Sequence, residues 1–264
     1  MIFGGRAAAC HLFVVGPEIS DYLCAVMKTA SSIRSQVLRY GLGIVGLFFV
    51  ALGIALSVVS NLGTSPLSCL PYVLTGTGHL TVGSWTVCVN MTYMLVQILL
   101  LRRQFTLKYL MQVPATLMLG LLIDVCMWCI RWICPTGFVF KTGLCLISCL
   151  VSAFGVSLEV AARRLMLSAE TTVYALCKKI PQPFRRLKVA MDSTMVAVAA
   201  LLAWAVFGNP FGITPFESLS AWLAGGSAGT VIGVGTLITA VLTGSLMRLT
   251  DPLAAAILHR LRVE

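Results

Sequence analysis

The residues able to do chemistry in this chain are few, and most lie in apolar surroundings. Asp124, Glu159 and Asp192 fall within hydrophobic runs, and Glu170 sits in a polar break. An ionisable group inside a bilayer is costly and is usually kept for ion or solute handling. Asp124 has no Lys or Arg at i±3 or i±4, and it extends a stripe of Gln112, Thr116 and Gly120 at helical spacing. That stripe aims one polar helix face at a bundle interior. The plainer alternative for Asp124 is a helix-capping carboxylate near one membrane interface. Glu159 has Arg163 four residues on, and Asp192 has Lys188 four residues back, each spaced for an ion pair on one helix face. Glu170 lies among seven basic residues, where a cytoplasmic salt bridge is the plain reading. Asn90 and Gln97, seven residues apart, share a face. They either bond between helices or line a polar cavity together with Asp124.

No enzyme signature accompanies these groups. The chain lacks G-x-S-x-G, H-E-x-x-H, a P-loop and paired carboxylates beside a nucleophile. His11, His79 and His259 all lie outside the apolar runs, which argues against haem or a His-based site. No catalytic residue, metal ligand or cofactor is assigned. "CMWC" places Cys126 and Cys129 on one helix turn without the strand–helix context of a redox motif. Cysteine inside an apolar run behaves as a small hydrophobe, so packing is the expected role and thiol exchange the outside one.

Elements must hold these residues in place, and composition says which kind. Of 264 residues 58% are hydrophobic and 11% charged, against about 25% charged in a soluble domain. The net charge of +10 is not a nucleic-acid signal, because the basic residues stand in short runs at the ends of apolar segments. Six segments read as spanning helices, at about 40–59, 84–101, 109–130, 142–161, 189–207 and 231–249, each matching a bilayer core about 30 Å thick. Lys and Arg concentrate before the first, between the second and third, between the fourth and fifth, and after the sixth. The other links carry only Arg131 and Lys141, so both termini are expected in the cytoplasm. Residues 1–35 read as a cytoplasmic extension, residues 36–250 as the membrane domain and residues 251–264 as a cytoplasmic tail. Within the extension, residues 1–26 fit no signal peptide, and Met27-Lys28 would make an ordinary start.

One stretch fits neither helix nor surface loop. "SNLGTSPLSCLPYVLTG", residues 60–76, is too broken to span and too apolar to lie free. It lines up with a second break: "GIALSVVSNLGTSPLSCLPYVL" from Gly53 matches "GVSLEVAARRLMLSAETTVYAL" from Gly155 in pattern. Each copy is three spans with a broken segment between the first and second, one over about 40–130 and the other over about 142–249. An odd number of spans makes the copies face opposite ways. The expected fold is therefore all-α, six transmembrane helices as two inverted three-helix repeats, each with a broken or re-entrant segment at 61–75 or 167–178. Such pairs build central sites in transporters; interfacial loops with a short amphipathic helix are the alternative.

The chain resembles the YczE/YyaS/YitT group of multipass bacterial membrane proteins. The resemblance rests on the Gly53 stretch, on "LTVGSWTVCVNMTYMLVQ" from Leu80 and on "QVPATLMLGLLID" ending at Asp124. In the second half it rests on "GVSLEV", "KVAMDSTMV" from Lys188 and "GVGTLITAVLTGSLMR" ending at Arg248. It covers roughly residues 35–250 and implies a polytopic inner-membrane protein of permease type, with no substrate or catalytic residues to carry over. The N-terminal extension and the long link at 209–229 depart from it.

The leading expectation is an inner-membrane transporter or permease of a small solute. Its candidate solute-binding residues are Asn61, Gly63, Ser65, Pro66, Asn90, Gln97, Asp124, Glu159 and Glu170. The alternative is an accessory or regulatory membrane protein that scaffolds partners without a transport path. Gly225, Gly229 and Gly233, four apart, are read as close backbone packing, and packing of this kind also serves a homo-oligomer. The bilayer and an unidentified solute are the expected partners, and nucleic acid is not.

Overall fold

The computed structural model describes residues 33–78, 80–101, 110, 112–135, 137–162, 167–179, 182, 184–212 and 230–260. The extension at residues 1–32 and most of the 209–229 link lie outside the described residues. Among the described residues eight helices follow in order: α1 (Ile33–Ser60), α2 (Pro66–Thr75), α3 (Val82–Leu101), α4 (Gln112–Ile130), α5 (Phe138–Ala162), α6 (Ser168–Lys179), α7 (Phe184–Phe207) and α8 (Val234–Arg260). Among the described residues there is no β-strand, only an isolated antiparallel bridge between Gly212 and Thr230.

Among the described residues five helices are long and apolar enough to cross a membrane: those within α1, α3, α4, α5 and α7. The protein is thus a multi-pass helical membrane protein. Residues 234–249 of the sixth expected segment, 231–249, lie in α8, whose sequence carries Arg248 and Asp251 and which is not among the five. Exposed side chains on α4, α5 and α7, such as Leu121, Trp128, Val139, Leu201 and Trp204, form the apolar outer surface that lipid covers. At the end of α4 the Arg131 guanidinium stacks over Trp128 at 5.4 Å and Trp132 at 4.7 Å. Aromatic and basic anchors of this kind belong at a membrane interface.

The largest differences from the sequence expectation are at two helix ends. α1 starts at Ile33 rather than near residue 40, because nothing between them breaks a helix. α8 runs on to Arg260 through the supposed tail, since Ala254 and Leu258 bury against Leu158 and Ala161 of α5.

The two longest-packed helices, α1 and α5, form the centre. A Cβ on Gly46 would stand 2.9 Å from the Gly155 carbonyl oxygen, and one on Gly155 would stand 2.8 Å from that of Gly46. Gly53 meets Ser148 and Ser152 in the same interface, so the pair runs antiparallel. Hydrophobic driving force between helices is weak in lipid, and small residues that let backbones touch take its place. Around this pair, α4 packs on α1 and α8 on α5. The short helices cross over: α2 packs on α3 and α7, while α6 packs on α7 and α3.

Candidate functional site

The first break is built and satisfied by its own sequence. Ser57 and Ser60 turn their hydroxyls back to the carbonyls of Ile54 and Ser57 as α1 ends. Asn61 (φ 53°) and Gly63 (φ 122°) then take the left-handed region, which Asn tolerates and Gly favours. The freed backbone bonds across to the entry of α8. Thr64 N and Oγ1 both donate to the Val231 carbonyl, at 2.8 and 3.1 Å. Gly235 N donates to the Leu62 carbonyl at 2.9 Å. Gly233 lies so close that a Cβ there would stand 2.0 Å from the Leu62 oxygen. Pro66 opens α2 at a position where no N–H is needed, and the hydroxyls of Ser65 and Ser68 share a hydrogen bond of 2.9 Å. Asn61, Gly63, Ser65 and Pro66 therefore make a closed junction. Among the described residues they form no hydrogen bond to Asp124, Asn90 or Gln97.

Asp124 also has an occupation. Its Oδ2 accepts from Thr81 Oγ1 at 2.7 Å and its Oδ1 from Gly83 N at 3.0 Å. The carboxylate sits on the N-terminus of α3, where orphan N–H groups and the helix dipole favour negative charge. Gly120 of the same stripe packs on Gly83, while Gln112 and Thr116 are buried, with Gln112 Oε1 and Thr116 Oγ1 lacking a partner.

A different set of polar groups converges on the first turn of α6. Gln97 of α3 is wholly buried, and its Nε2 donates to the Ser168 carbonyl and, at 2.8 Å, to Thr172 Oγ1. Thr172 Oγ1 in turn donates to the Ser168 carbonyl at 2.7 Å. Glu170 lies in this turn with 4% of its surface exposed, and Glu159 on α5 is 0% exposed. Glu170 acts electrostatically on Glu159. Neither Glu159 oxygen has a hydrogen-bond partner, nor do Glu170 Oε2, Gln97 Oε1 and Ser168 Oγ. Arg163, expected to pair with Glu159, lies outside the described residues. Gly46 of α1 seats against the Glu159 side chain, where a Cβ would be 3.0 Å from its Cγ.

The Lys188–Asp192 pair forms as its spacing predicts, at 3.2 Å. It is not merely a surface bridge. Asp192 acts electrostatically on Glu170 of α6, Tyr93 of α3 and Cys69 of α2, and α7 packs on both α6 and α2. Asn90, on the buried face of α3, donates from Nδ2 to the Thr86 carbonyl at 2.9 Å and leaves its Oδ1 without a partner. Burial pushes the Glu170 carboxyl up to about 7, with Lys188 pulling the other way.

Of the nine sequence candidates, Gln97 bonds to the turn that carries Glu170, Glu170 acts electrostatically on Glu159, Asn90 bonds back within its own helix, and Asp124 and the Asn61–Pro66 junction have hydrogen-bond partners elsewhere. Sequence reasoning missed Ser168 and Thr172, whose signal was the i, i+4 hydroxyl pair opening α6. Cys126 is buried and Cys129 exposed, both are free, and no group of three or more His, Cys, Asp or Glu positioned for a metal exists among the described residues. Gly225 and Gly229 lie outside the described residues.

A family model described as a family of unknown function (DUF6198) matches residues 37–252, and the chain belongs to that family. The chain is similar to the uncharacterized protein YyaS of Bacillus subtilis (strain 168), 27% identical over 230 residues that cover 83% of this chain and 93% of the relative. No solved structure matches.

Proposed function

We propose that this member of the DUF6198 family is a carrier of a small polar solute in the bacterial inner (plasma) membrane, grouped with the YczE and YitT proteins as well as YyaS. In this reading α8 is the sixth crossing, both termini are cytoplasmic, and the chain is two inverted repeats. α2 and α6 are half-helices entering from opposite faces. The observation that carries the reading is the crosswise packing of those two short helices, α2 on α7 and α6 on α3.

The helix boundaries and packing support it. One offset of 102 residues carries Ser60 to Ala162, Pro66 to Ser168 and Val82 to Phe184, the ends of α1 and α5 and the starts of the next two helices in each half. Exchanging α1–α4 with α5–α8 exchanges the α1·α4 and α5·α8 contacts, the α2·α3 and α6·α7 contacts, and the α2·α7 and α6·α3 contacts. The α1·α5 contact maps onto itself, as a twofold axis through it requires.

The same offset pairs the polar residues. Ser68 corresponds to Glu170, Thr86 to Lys188 and Asn90 to Asp192. In one half Asn90 bonds back to Thr86, and at the equivalent positions Asp192 pairs with Lys188. A solute between α2, α3, α6 and α7 would meet a neutral wall on one side and a charged wall on the other. Helix termini in broken segments offer free backbone groups at such a site. Rocking of one repeat against the other would open it to each face in turn.

The test is solute-dependent thermal stabilisation of the purified chain in detergent. A true ligand at 100 times its Kd adds about 2.7 kcal/mol to the folded state. The shift should vanish in Asp192→Asn. A stabilising solute whose effect survives Asp192→Asn and Asn90→Ala alike would place binding elsewhere.

A further inference from the structure

Two acids buried together in a lipid-facing protein raise a charge problem. Glu159 is fully buried, and neither of its oxygens has a hydrogen-bond partner. Glu170, almost as buried, adds a second negative charge within its reach. A lone carboxylate in such a medium carries a desolvation cost that only a bound cation or a proton removes. The helices packed around the pair carry ionisable groups that include Arg39 and Tyr40 on α1, Tyr93 on α3, Lys188 and Asp192 on α7, and Asp251 on α8. None of them bonds to Glu159. Asp251 accepts from Ser157 instead, at 2.8 Å. Lys188 is the cation that acts on Glu170, and it is already shared with Asp192.

A second observation points to a bound species. Gln97, fully buried, grips the turn that carries Glu170 through its nitrogen and leaves Oε1 there without a donor. Ser168, fully buried in the same turn, leaves Oγ without a partner. The orphans at this place are acceptors or hydroxyls, which calls for a species bringing a positive charge and an O–H.

We propose that Glu159 and Glu170 form a proton-binding site, that Glu159 carries the proton at rest, and that its exchange is the ion-coupling step of the carrier. On release the Glu159 O–H bond breaks, its electron pair stays on the carboxylate, and the proton leaves to water. Glu170, which acts on Glu159 and is itself acted on by Lys188 of α7, is the relay. The coupling role rests on the carrier reading. Proton occupancy does not, and it is measured without any transported solute.

The experiment is infrared spectroscopy of the full-length chain in lipid nanodiscs, in sodium chloride and in choline chloride. At pH 7 a carboxylic-acid carbonyl band is expected in both salts. Glu170 contributes to the same band, so Glu159→Gln should weaken it, the Glu159→Gln/Glu170→Gln double variant should abolish it, and Asp192→Asn should keep it. Absence of the band at pH 7 overturns the proposal. So does its loss on adding sodium at constant pH, which would assign the pair to a metal cation. A band of undiminished strength in Glu159→Gln also overturns it. Should that variant fail to fold, the wild-type band and its response to sodium still decide. A band that behaves as expected in a chain that binds no solute would retain the proton site and remove the carrier.

Discussion

The side-chain amide of Gln97 reaches 71 residues along the chain to donate to the main-chain carbonyl of Ser168. This one contact fastens a helix of the first half to the broken helix of the second. Gln97→Met keeps the volume and removes both donated bonds. We expect a loss of about 1–3 kcal/mol, the cost of leaving buried partners unmet, read as a lowered melting temperature in detergent. An unchanged melting temperature would mean that α3 and α6 are held by apolar packing alone.

Gly46 and Gly155 set the distance between α1 and α5. Gly46→Ala and Gly155→Ala should each destabilise by about 1–3 kcal/mol, because the added methyl meets backbone that cannot yield. Gly143→Ala, where nothing lies within 4 Å, is the control and should be neutral. Equal melting temperatures for all three would contradict the close crossing.

Asp124 caps α3, so Asp124→Ala should cost about 0.5–2 kcal/mol of stability. It should leave the infrared band of the buried pair untouched. Loss of that band in a folded Asp124 variant would move the protonated group to α4.

Glu170 gives a pH dependence with a definite sign. Its carboxyl is raised from the ordinary 4.5 to about 7, chiefly by burial. A raised acid favours the folded state while protonated, so its contribution is full below about 4.5 and fades as pH rises through 7. Thermal stability should therefore fall between pH 5 and 8, and Glu170→Gln should flatten the fall. Lys188, Asp192 and Glu159 titrate against the same group, so the midpoint belongs to the set. A wild-type profile that rises over this range would contradict the assignment.

Local signals carried much of the fold. The breakers from Asn61 to Pro66 marked the end of α1 and the start of α2, and the apolar lengths marked six crossings, of which five are long and apolar enough among the described residues. The Lys188–Asp192 pair was legible because i, i+4 spacing alone brings it together. Asp124 was not, since the helix end it caps begins at Val82, far away in sequence, and a capping acid and a transport acid look alike in one dimension. Glu159 was obscured by Arg163, a plausible partner by spacing. Its burial follows from Gly46 on another helix, which no local pattern announces. The junction of Thr64 with Val231 joins two breaks 167 residues apart and could not be read from either alone.

The central claim is that the polar residues between α2, α3, α6 and α7 are reached alternately from both sides of the membrane. It is tested most directly with Asn90→Cys and Asp192→Cys on a cysteine-free background, labelled by an impermeant thiol reagent in right-side-out and inside-out vesicles. The carrier account predicts that each position is modified from both faces. Protection from both faces, or modification from one face only, would contradict it.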